Sequence, residues 1–457
     1  MVKLPLSFLD SLEGLPGFDR ESFVHVHDSG EQITSVRFNP SKAFDLASGS
    51  VQYEQISWTR FGYYLNKRPS FTFDPLFHAG CYYVQEASSM FLEQALVQTV
   101  DLEKPLKVLD LCAAPGGKST HLQSLISSDS LLVSNEVIKS RANVLKQNII
   151  KWGSNNVIVT NNDPQHFARI EGFFDVMVVD APCSGSGLFR RDADAINEWS
   201  PENVQLCCGR QQRILADALP ALKENGILIY STCSYSIEED EEIMDWLVNE
   251  LKMENCHLEI ENDWNIIETA SSSGAVGYRF YPDKVKGEGF FLACFRKPTG
   301  GNRKFKMSKP EKASIKEKAA LSSWIYIENF EILKNNHLFF ALPGHLVEDF
   351  SILHANLYLQ YAGTTLGELM RDKLVPDHAL ALSSLVKSTI SRSELSLEEA
   401  VKYLQRADMN ISPETKGWQL VTFQSHPLGW INALPNRINN YYPKEMRILK
   451  QYNDSGF

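Results

Sequence analysis

The stretch Leu109 to Thr120, LDLCAAPGGKST, is an apolar run that stops at a Gly-rich turn carrying Lys118 and two hydroxyls. Its GKST ending suggests a phosphate loop. A Walker A loop requires Gly-x-x-x-x-Gly-Lys-Ser/Thr. With Gly117, Lys118 and Ser119 fixed, the first glycine falls at position 112, where the chain has Cys112. The dinucleotide pattern Gly-x-Gly-x-x-Gly is also absent, and Pro115 stiffens the turn. What remains is a strand, a tight turn in which Gly116 and Gly117 permit close backbone approach, and a helix N-terminus.

The surroundings of this loop define a fold class. Between Lys107 and Arg296 the runs KVLDLC, LLVSNE, NVIVTN, DVMVVD and GILIYST lack polar alternation, as strands buried on both faces of a parallel sheet do. Helical spacing fills the gaps, in HLQSLISS, KSRANVLKQNIIKWG and a long stretch that starts at Ser200-Pro201 and is predicted to end at Asn225-Gly226. The expectation is an α/β fold with a Rossmann-like, doubly wound sheet, whose ligands sit at the carboxyl ends of the strands.

Acids decorate those ends. Glu136 ends LLVSNE at a spacing suited to a ribose, Asp163 follows the third strand and Asp180 ends the fourth. Each alone could cap a helix. Together they repel a triphosphate but suit a cationic ligand with a ribose and an exocyclic amine. S-adenosylmethionine has a positive sulfonium, free ribose hydroxyls and no phosphate. Arg141, on the helix after Glu136, either pairs with a rim acid or lies on the surface.

Two thiols complete the rim. Cys183 lies in DAPCSGSGLFRRD after Asp180, and Cys233 ends the fifth strand in YSTCSYSIEEDEE. A buried cysteine is usually a small hydrophobe, but two at adjacent ligand-facing strand ends call for chemistry. Carbon 5 of cytosine is too weak a nucleophile to take a methyl group directly. A thiolate adding at carbon 6 activates it, splitting one hard step into two. Such a site needs a nucleophilic cysteine, a group assisting release, and an acid on the N3 and amine edge of the base, where Asp180 is placed.

LCAAPGGKST, DAPCSGSGLFRRD and YSTCSYSIEEDE resemble the motifs of the Sun family of RNA cytosine-5 methyltransferases. SVRFNP around Arg37, YYVQEASSM at 82–90 and GEGFFLACFRK at 287–297 resemble further signatures of that family. The resemblance implies that Cys233 is the nucleophile, that Cys183 assists release and that Asp180 shares in catalysis. It implies S-adenosylmethionine as cofactor, held by Cys112, Ala113, Ala114, Pro115, Gly116, Gly117 and Lys118 of the loop with Glu136, Asp163 and Asp180.

Length and charge set the remaining expectations. A chain of 457 residues exceeds one core. The expected units are an N-terminal accessory domain over 1–100, a methyltransferase domain over 101–298, a basic linker over 299–320 and a C-terminal α+β domain over 321–457. The formal charge of -11 is uneven, because residues 301–457 hold 19 Lys+Arg against 16 Asp+Glu and residues 301–320 alone hold seven basic side chains against two acidic. WQLVTF and LGWINA form a predicted hairpin, preceded by a helical SLEEAVKYLQRA. This region resembles the PUA-like RNA-binding module of bacterial RsmF-type members, which methylate small-subunit ribosomal RNA. The Pro-Lys-Gly turn expected there is Pro443-Lys444-Glu445. Trp430, Arg437, Tyr441, Tyr442, Lys444 and Arg447 are the candidate RNA contacts of the module, and Arg190 and Arg191 those beside the target base.

The run EEDEE at 238–242 could suggest a metal, but Ser236 and Glu239 have capping-box spacing and no metal site is expected. MVKLPLSFLDSL is a poor signal peptide, no run reaches the roughly eighteen apolar residues of a membrane span, and eight scattered cysteines without a CxxC pair fit a reducing cytoplasm. The expected protein is a cytoplasmic monomer acting on ribosomal RNA. Transfer RNA is the nearest alternative substrate, since the catalytic motifs do not distinguish the two. A P-loop nucleotidase is disfavoured by Cys112, and a non-catalytic RNA-binding factor by the two cysteines and three acids.

Overall fold

The computed structural model describes residues 4–44, 52–301, 304–409 and 415–451; Arg303 of the basic segment lies outside them. The N-terminal region has helices Leu6–Ser11 and Arg20–Asp28 and a four-stranded antiparallel sheet of β1 (Thr34–Phe38), β2 (Tyr53–Gln55), β3 (Gly62–Leu65) and β4 (Tyr82–Val84), in the order β2-β3-β1-β4. Arg37 on β1 is fully buried. Its guanidinium donates to Gln85 Oε1, to the carbonyls of Gly117 and Thr120, and to the hydroxyls of Thr120 and Ser124, and lies 4.5 Å from the Trp152 ring. One buried cation thus ties the N-terminal sheet to the helix that follows the Gly-rich loop.

The five apolar runs form the parallel centre of a larger sheet: β5 (Lys107–Asp110), β6 (Leu131–Asn135), β7 (Val157–Thr160), β8 (Phe174–Asp180) and β9 (Leu222–Thr232). Antiparallel strands β10 (Glu254–Cys256), β11 (Ile267–Ala270), β12 (Val276–Phe280) and β13 (Phe290–Arg296) continue it beyond β9, in the order β11-β12-β13-β9-β8-β5-β6-β7, with β10 also on β13. Alternation along each strand shows why both faces are apolar. Val108, Val176, Val178 and Ile229 meet Leu122, Leu145 and Ile149 of the helices Gly117–Leu125 and Lys139–Trp152. Leu109, Met177, Val179 and Leu228 meet Phe167, Leu215 and Ile243 on the other face.

Two local readings are corrected. The helix starting at Pro201 has Ser200 as its cap, the hydroxyl accepting from Asn203 N, but it ends at Ala218, because Pro220 cannot continue the backbone bonding. Asn225, in the left-handed region, lies within β9 instead. The segment after β9 forms no capping box either: the helix starts at Glu241, and Glu239 turns inward.

The C-terminal half contains two sheets. The first is β14 (Glu311–Lys312), β15 (Phe330–Asn335), β16 (Leu338–Pro343), β18 (Thr364–Met370) and β19 (Lys373–Pro376). Residues 311–320, assigned to the linker by composition, supply β14 and most of the helix Ile315–Leu321, whose capping box is Ser314 with Glu317. The strand between β16 and β18, β17 (Leu359–Ala362), leaves this sheet and pairs antiparallel with β7 at the edge of the central one. The second sheet is β20 (Arg392–Glu394), β21 (Gly417–Phe423), β22 (His426–Leu434) and β23 (Arg437–Asn440), with β21 and β22 as the predicted hairpin and the helix Leu397–Gln405 before it. No helix among the described residues is long and apolar enough to cross a membrane.

Candidate active site at the strand ends

The Gly-rich loop leaves β5 at Asp110 and turns at Gly116, whose φ of 115° lies in the left-handed region that favours glycine. Its backbone is held from the neighbouring elements: Ala113 N donates to Asn135 O, while the carbonyls of Ala114 and Pro115 accept from Arg141 and Asn148. The hydroxyls of the GKST ending face inward. Ser119 Oγ donates to Asp110 Oδ2 at 2.6 Å and Thr120 Oγ1 donates to Gly116 O at 2.8 Å. Lys118 Nζ lies 2.8 Å from Asp180 Oδ1, and although burial pulls its pKa down, the Asp180 charge and hydrogen bond outweigh that and raise it.

The loop therefore presents a neutralised lysine and an excess of acid, which does not suit a phosphate. Asp110 is fully buried, its Oδ1 has no hydrogen-bond partner among the described residues, and burial pushes its pKa up to about 7. Glu136 is nearly buried, with Oε1 accepting from Ile138 N and Oε2 3.6 Å from Arg141. Asp163 caps the 3₁₀ turn Pro164–Ile170 by accepting from Gln165 N, and its other oxygen lies 3.8 Å from Arg213. This set of acceptors fits a cationic nucleoside with ribose hydroxyls.

Beyond Asp180, β8 and β9 bring the two thiols together. Cys183 Sγ lies 3.0 Å from Cys233 Sγ. The hydrogen bond with Cys233, reinforced by burial, holds the Cys183 pKa well above the ordinary thiol value. Asp180, three residues before Cys183, accepts from Ser231 Oγ, two residues before Cys233, at 2.9 Å while its carboxylate stays 37% exposed. Gly187 N donates to Cys233 O, and a Cβ at Gly187 would come within 2.5 Å of Gly289 O, so a glycine is needed where the two loops cross.

Beneath the thiols lies the buried carboxylate of Glu239. Its Oε1 accepts from Ser184 N at 2.8 Å and Gln211 Nε2 at 3.0 Å; its Oε2 accepts from the hydroxyls of Ser184 at 2.5 Å and Ser234 at 2.6 Å. Asp240 and Glu241 pair with the buried Arg279. Three of the five acids of EEDEE are therefore consumed internally.

The candidate RNA contacts divide. Trp430 is a correction: it is 1% exposed and its indole donates to Asp377 O, because this position of β22 faces the core shared with Leu366 and Leu420. Tyr442 is likewise buried against Tyr403 and His378. Arg190 is also turned inward, with only 5% of its side chain exposed; it donates to the carbonyls of Gly287 and Glu31 and lies 3.6 Å from Glu288. Arg191, Arg437, Tyr441, Lys444 and Arg447 are exposed. Sequence reasoning missed Asp110, although the opening stretch contains it, and Glu239, whose acidic neighbours hid it. For Arg37 the only signal was the SVRFNP motif.

Three family models match the chain: the N-terminal domain of 16S rRNA methyltransferase RsmF over 4–87, 16S rRNA methyltransferase RsmB/F over 97–296, and the methyltransferase RsmF PUA domain over 391–448. The chain is 30% identical to Ribosomal RNA small subunit methyltransferase F of Serratia proteamaculans, across 80% of this chain and 78% of that protein. It is 30% identical to the protein of the same name from Aeromonas salmonicida, across 86% and 85%. Among solved structures, a methyltransferase homolog protein from Pyrococcus horikoshii is 28% identical, covering 64% of this chain and all of that one with a TM-score of 0.51. NSun6 from the same organism, at 18% identity and a TM-score of 0.54 over 65% of this chain and 98% of its own, shares the fold. With its paired thiols, its acidic rim and all three domain matches, the chain belongs to the RsmB/F family of 16S rRNA methyltransferases, in the RsmF-type arrangement, and is an S-adenosylmethionine-dependent RNA cytosine-5 methyltransferase.

Proposed function

We propose that Cys233 is the nucleophile, that Cys183 assists release, and that the protein acts as a monomer in the cytoplasm on a cytosine of small-subunit ribosomal RNA. The observation that supports the assignment is the 3.0 Å contact of the two thiols just past the strand ends where Asp180 meets Ser231, with the Cys183 thiol pushed above its ordinary value by its hydrogen bond with Cys233 and by burial. The target base must leave its stack to reach them.

Cys233 Sγ, its proton passed to solvent, then bonds to carbon 6 of the ring, and the carbon 5–carbon 6 π pair moves to carbon 5. Asp180 meets the N3 and exocyclic amine edge and stabilises the charge that collects there. S-adenosylmethionine, when bound by the loop Cys112–Lys118 with Glu136, Asp163 and Asp180, supplies the methyl group as an electrophile. A base removes the carbon 5 proton, the C–H electron pair re-forms the carbon 5–carbon 6 double bond and Cys233 leaves as the thiolate, with Cys183, in contact with that sulfur, assisting this release. Arg191, Arg437, Lys444 and Arg447 are the exposed basic groups suited to RNA phosphates.

The test uses two variants with the target RNA and donor. Cys233→Ala abolishes methyl transfer and any covalent adduct. Cys183→Ala accumulates a protein-RNA adduct that survives denaturant. The opposite behaviour of the two variants would reverse the assignment. Bisulfite sequencing of ribosomal and transfer RNA from cells with and without the gene identifies the substrate, and sedimentation of the free protein tests the monomer.

A further inference from the structure

Glu239 carries no role in the chemistry above, yet it bonds to the residues that follow both thiols. Ser184 is next to Cys183 and Ser234 is next to Cys233. Both serine hydroxyls converge on Glu239 Oε2, 3.3 Å from each other, and Ser184 N closes on Oε1. The two loops come from different strands, β8 and β9, and the register that pairs Asp180 with Ser231 ends just before the cysteines. Beyond that point the sheet no longer fixes one loop against the other. The crossing at Gly187 does so on one side, through its bond to Cys233 O, and Glu239 does so on the other.

The set of partners is specific to a carboxylate. A backbone N–H and the Gln211 amide N–H only donate, and each serine hydroxyl has its proton directed at Glu239. The carboxylate is itself anchored, because Tyr230 OH donates to the Glu239 carbonyl and Gln211 Nε2 also donates to Pro182 O, next to Cys183. No part of Glu239 is exposed, so RNA and donor do not touch it.

We propose that Glu239 is a positioning residue for the methyl transfer, clamping the Cys183 and Cys233 loops through Ser184 and Ser234 so that both thiols address one base. This rests on the assignment of Cys233 and Cys183 given above. Near-attack geometry is demanding: a misplacement of about 1 Å costs on the order of 100-fold in rate. Glu239→Gln keeps the volume but replaces an acceptor by a donor, and Ser234→Ala releases only the Cys233 loop while leaving the Glu239 charge in place.

Four quantities are measured on the full-length chain: kcat and KM with a small-subunit RNA fragment, donor affinity by calorimetry, and the rate at which diamide links Cys183 to Cys233. In that last reaction both thiols lose a proton and an electron, a sulfur-sulfur bond forms, and the azo group of diamide is reduced to the hydrazine. The expected result is a fall in kcat of about 10- to 100-fold for Glu239→Gln and a smaller fall for Ser234→Ala, with slower linking in both and donor affinity within twofold of the unmodified protein. If Glu239→Gln does not fold, Ser234→Ala decides alone. Unchanged kcat and linking rate in a folded variant would overturn the proposal, as would a loss of donor affinity that matches the loss of rate. Cys233→Ala is run in parallel: if it stays active, the cysteine assignment fails, whereas an inactive Cys233→Ala beside an unimpaired Glu239→Gln sinks the positioning role alone.

Discussion

Cys183 and Cys233 are fifty residues apart in sequence and 3.0 Å apart at their sulfur atoms, delivered by adjacent parallel strands. Such proximity exposes the site to oxidation. Treatment with hydrogen peroxide converts the pair to a disulfide, with two water molecules as the other product. Activity is expected to fall to background and to return on reduction with dithiothreitol. Non-reducing peptide mapping shows whether residues 183 and 233 are the linked pair; inactivation that survives the reductant would contradict this.

Glu136 and Arg141 give a second prediction. The Glu136 carboxylate is nearly buried yet uses only one oxygen in a hydrogen bond, to Ile138 N. If the other meets a donor hydroxyl, Glu136→Ala weakens S-adenosylmethionine binding by about 10- to 100-fold, the worth of a hydrogen bond to a charged group. Calorimetry with the donor alone reads this directly, and RNA affinity should not change.

The junction of the three regions predicts acid sensitivity. Burial and the nearby cationic side chains Lys151 and Lys42 push the His378 pKa down to about 3, and burial with Lys151 takes His78 down to about 4. Tyr442 also faces them, its hydroxyl 3.3 Å from His78 Nδ1. Both folded values lie below the unfolded value of 6.5, so between about pH 6.5 and 4 the unfolded chain binds more protons. Stability from these rings is complete above pH 6.5 and lost as the pH falls through that window. The melting temperature at pH 5 should lie below that at pH 7.5, and the difference should shrink in His78→Gln/His378→Gln.

Trp430 separates packing from recognition. As a buried residue of β22, Trp430→Ala should destabilise the protein by about 3–5 kcal/mol, seen in denaturant titration. Arg437→Ala, Lys444→Ala and Arg447→Ala should leave stability within about 0.5 kcal/mol. Each that meets a phosphate lowers the slope of log affinity against log salt by about 1.

Truncation before residue 321 is expected to do more than remove an RNA contact. It strips β17 from β7 and leaves an apolar strand edge unpaired. The shortened chain should lose solubility and show a lower melting temperature, measured by light scattering and calorimetry.

What the sequence made legible follows from locality. Runs such as DVMVVD and GILIYST are apolar on both faces, and that composition already implies a covered parallel sheet. The reactive groups sit at the ends of those runs, so Cys183, Cys233, Glu136 and Asp180 could be placed on one rim without coordinates. Residues whose partners are remote in sequence could not. Arg190 reads as a phosphate contact until Glu31, Gly287 and Glu288 are found around it. Trp430 reads as a stacking platform because nothing in LGWINA says which face of β22 meets the core. Glu239 was hidden by its neighbours, since a run of acids at a helix start has a sufficient local explanation. The pairing of β17 with β7 joins segments about 200 residues apart and leaves no periodic trace.

That pairing has a consequence for how a target nucleotide is chosen. A module on a slack tether samples many reaches and lets base contacts alone discriminate among cytosines. Here the chain carrying the basic residues of β23 and its following turn is woven into the same sheet that presents Cys233. If those residues meet RNA, their place in the fold would act as a caliper, the span from that contact to Cys233 setting which cytosine is reached.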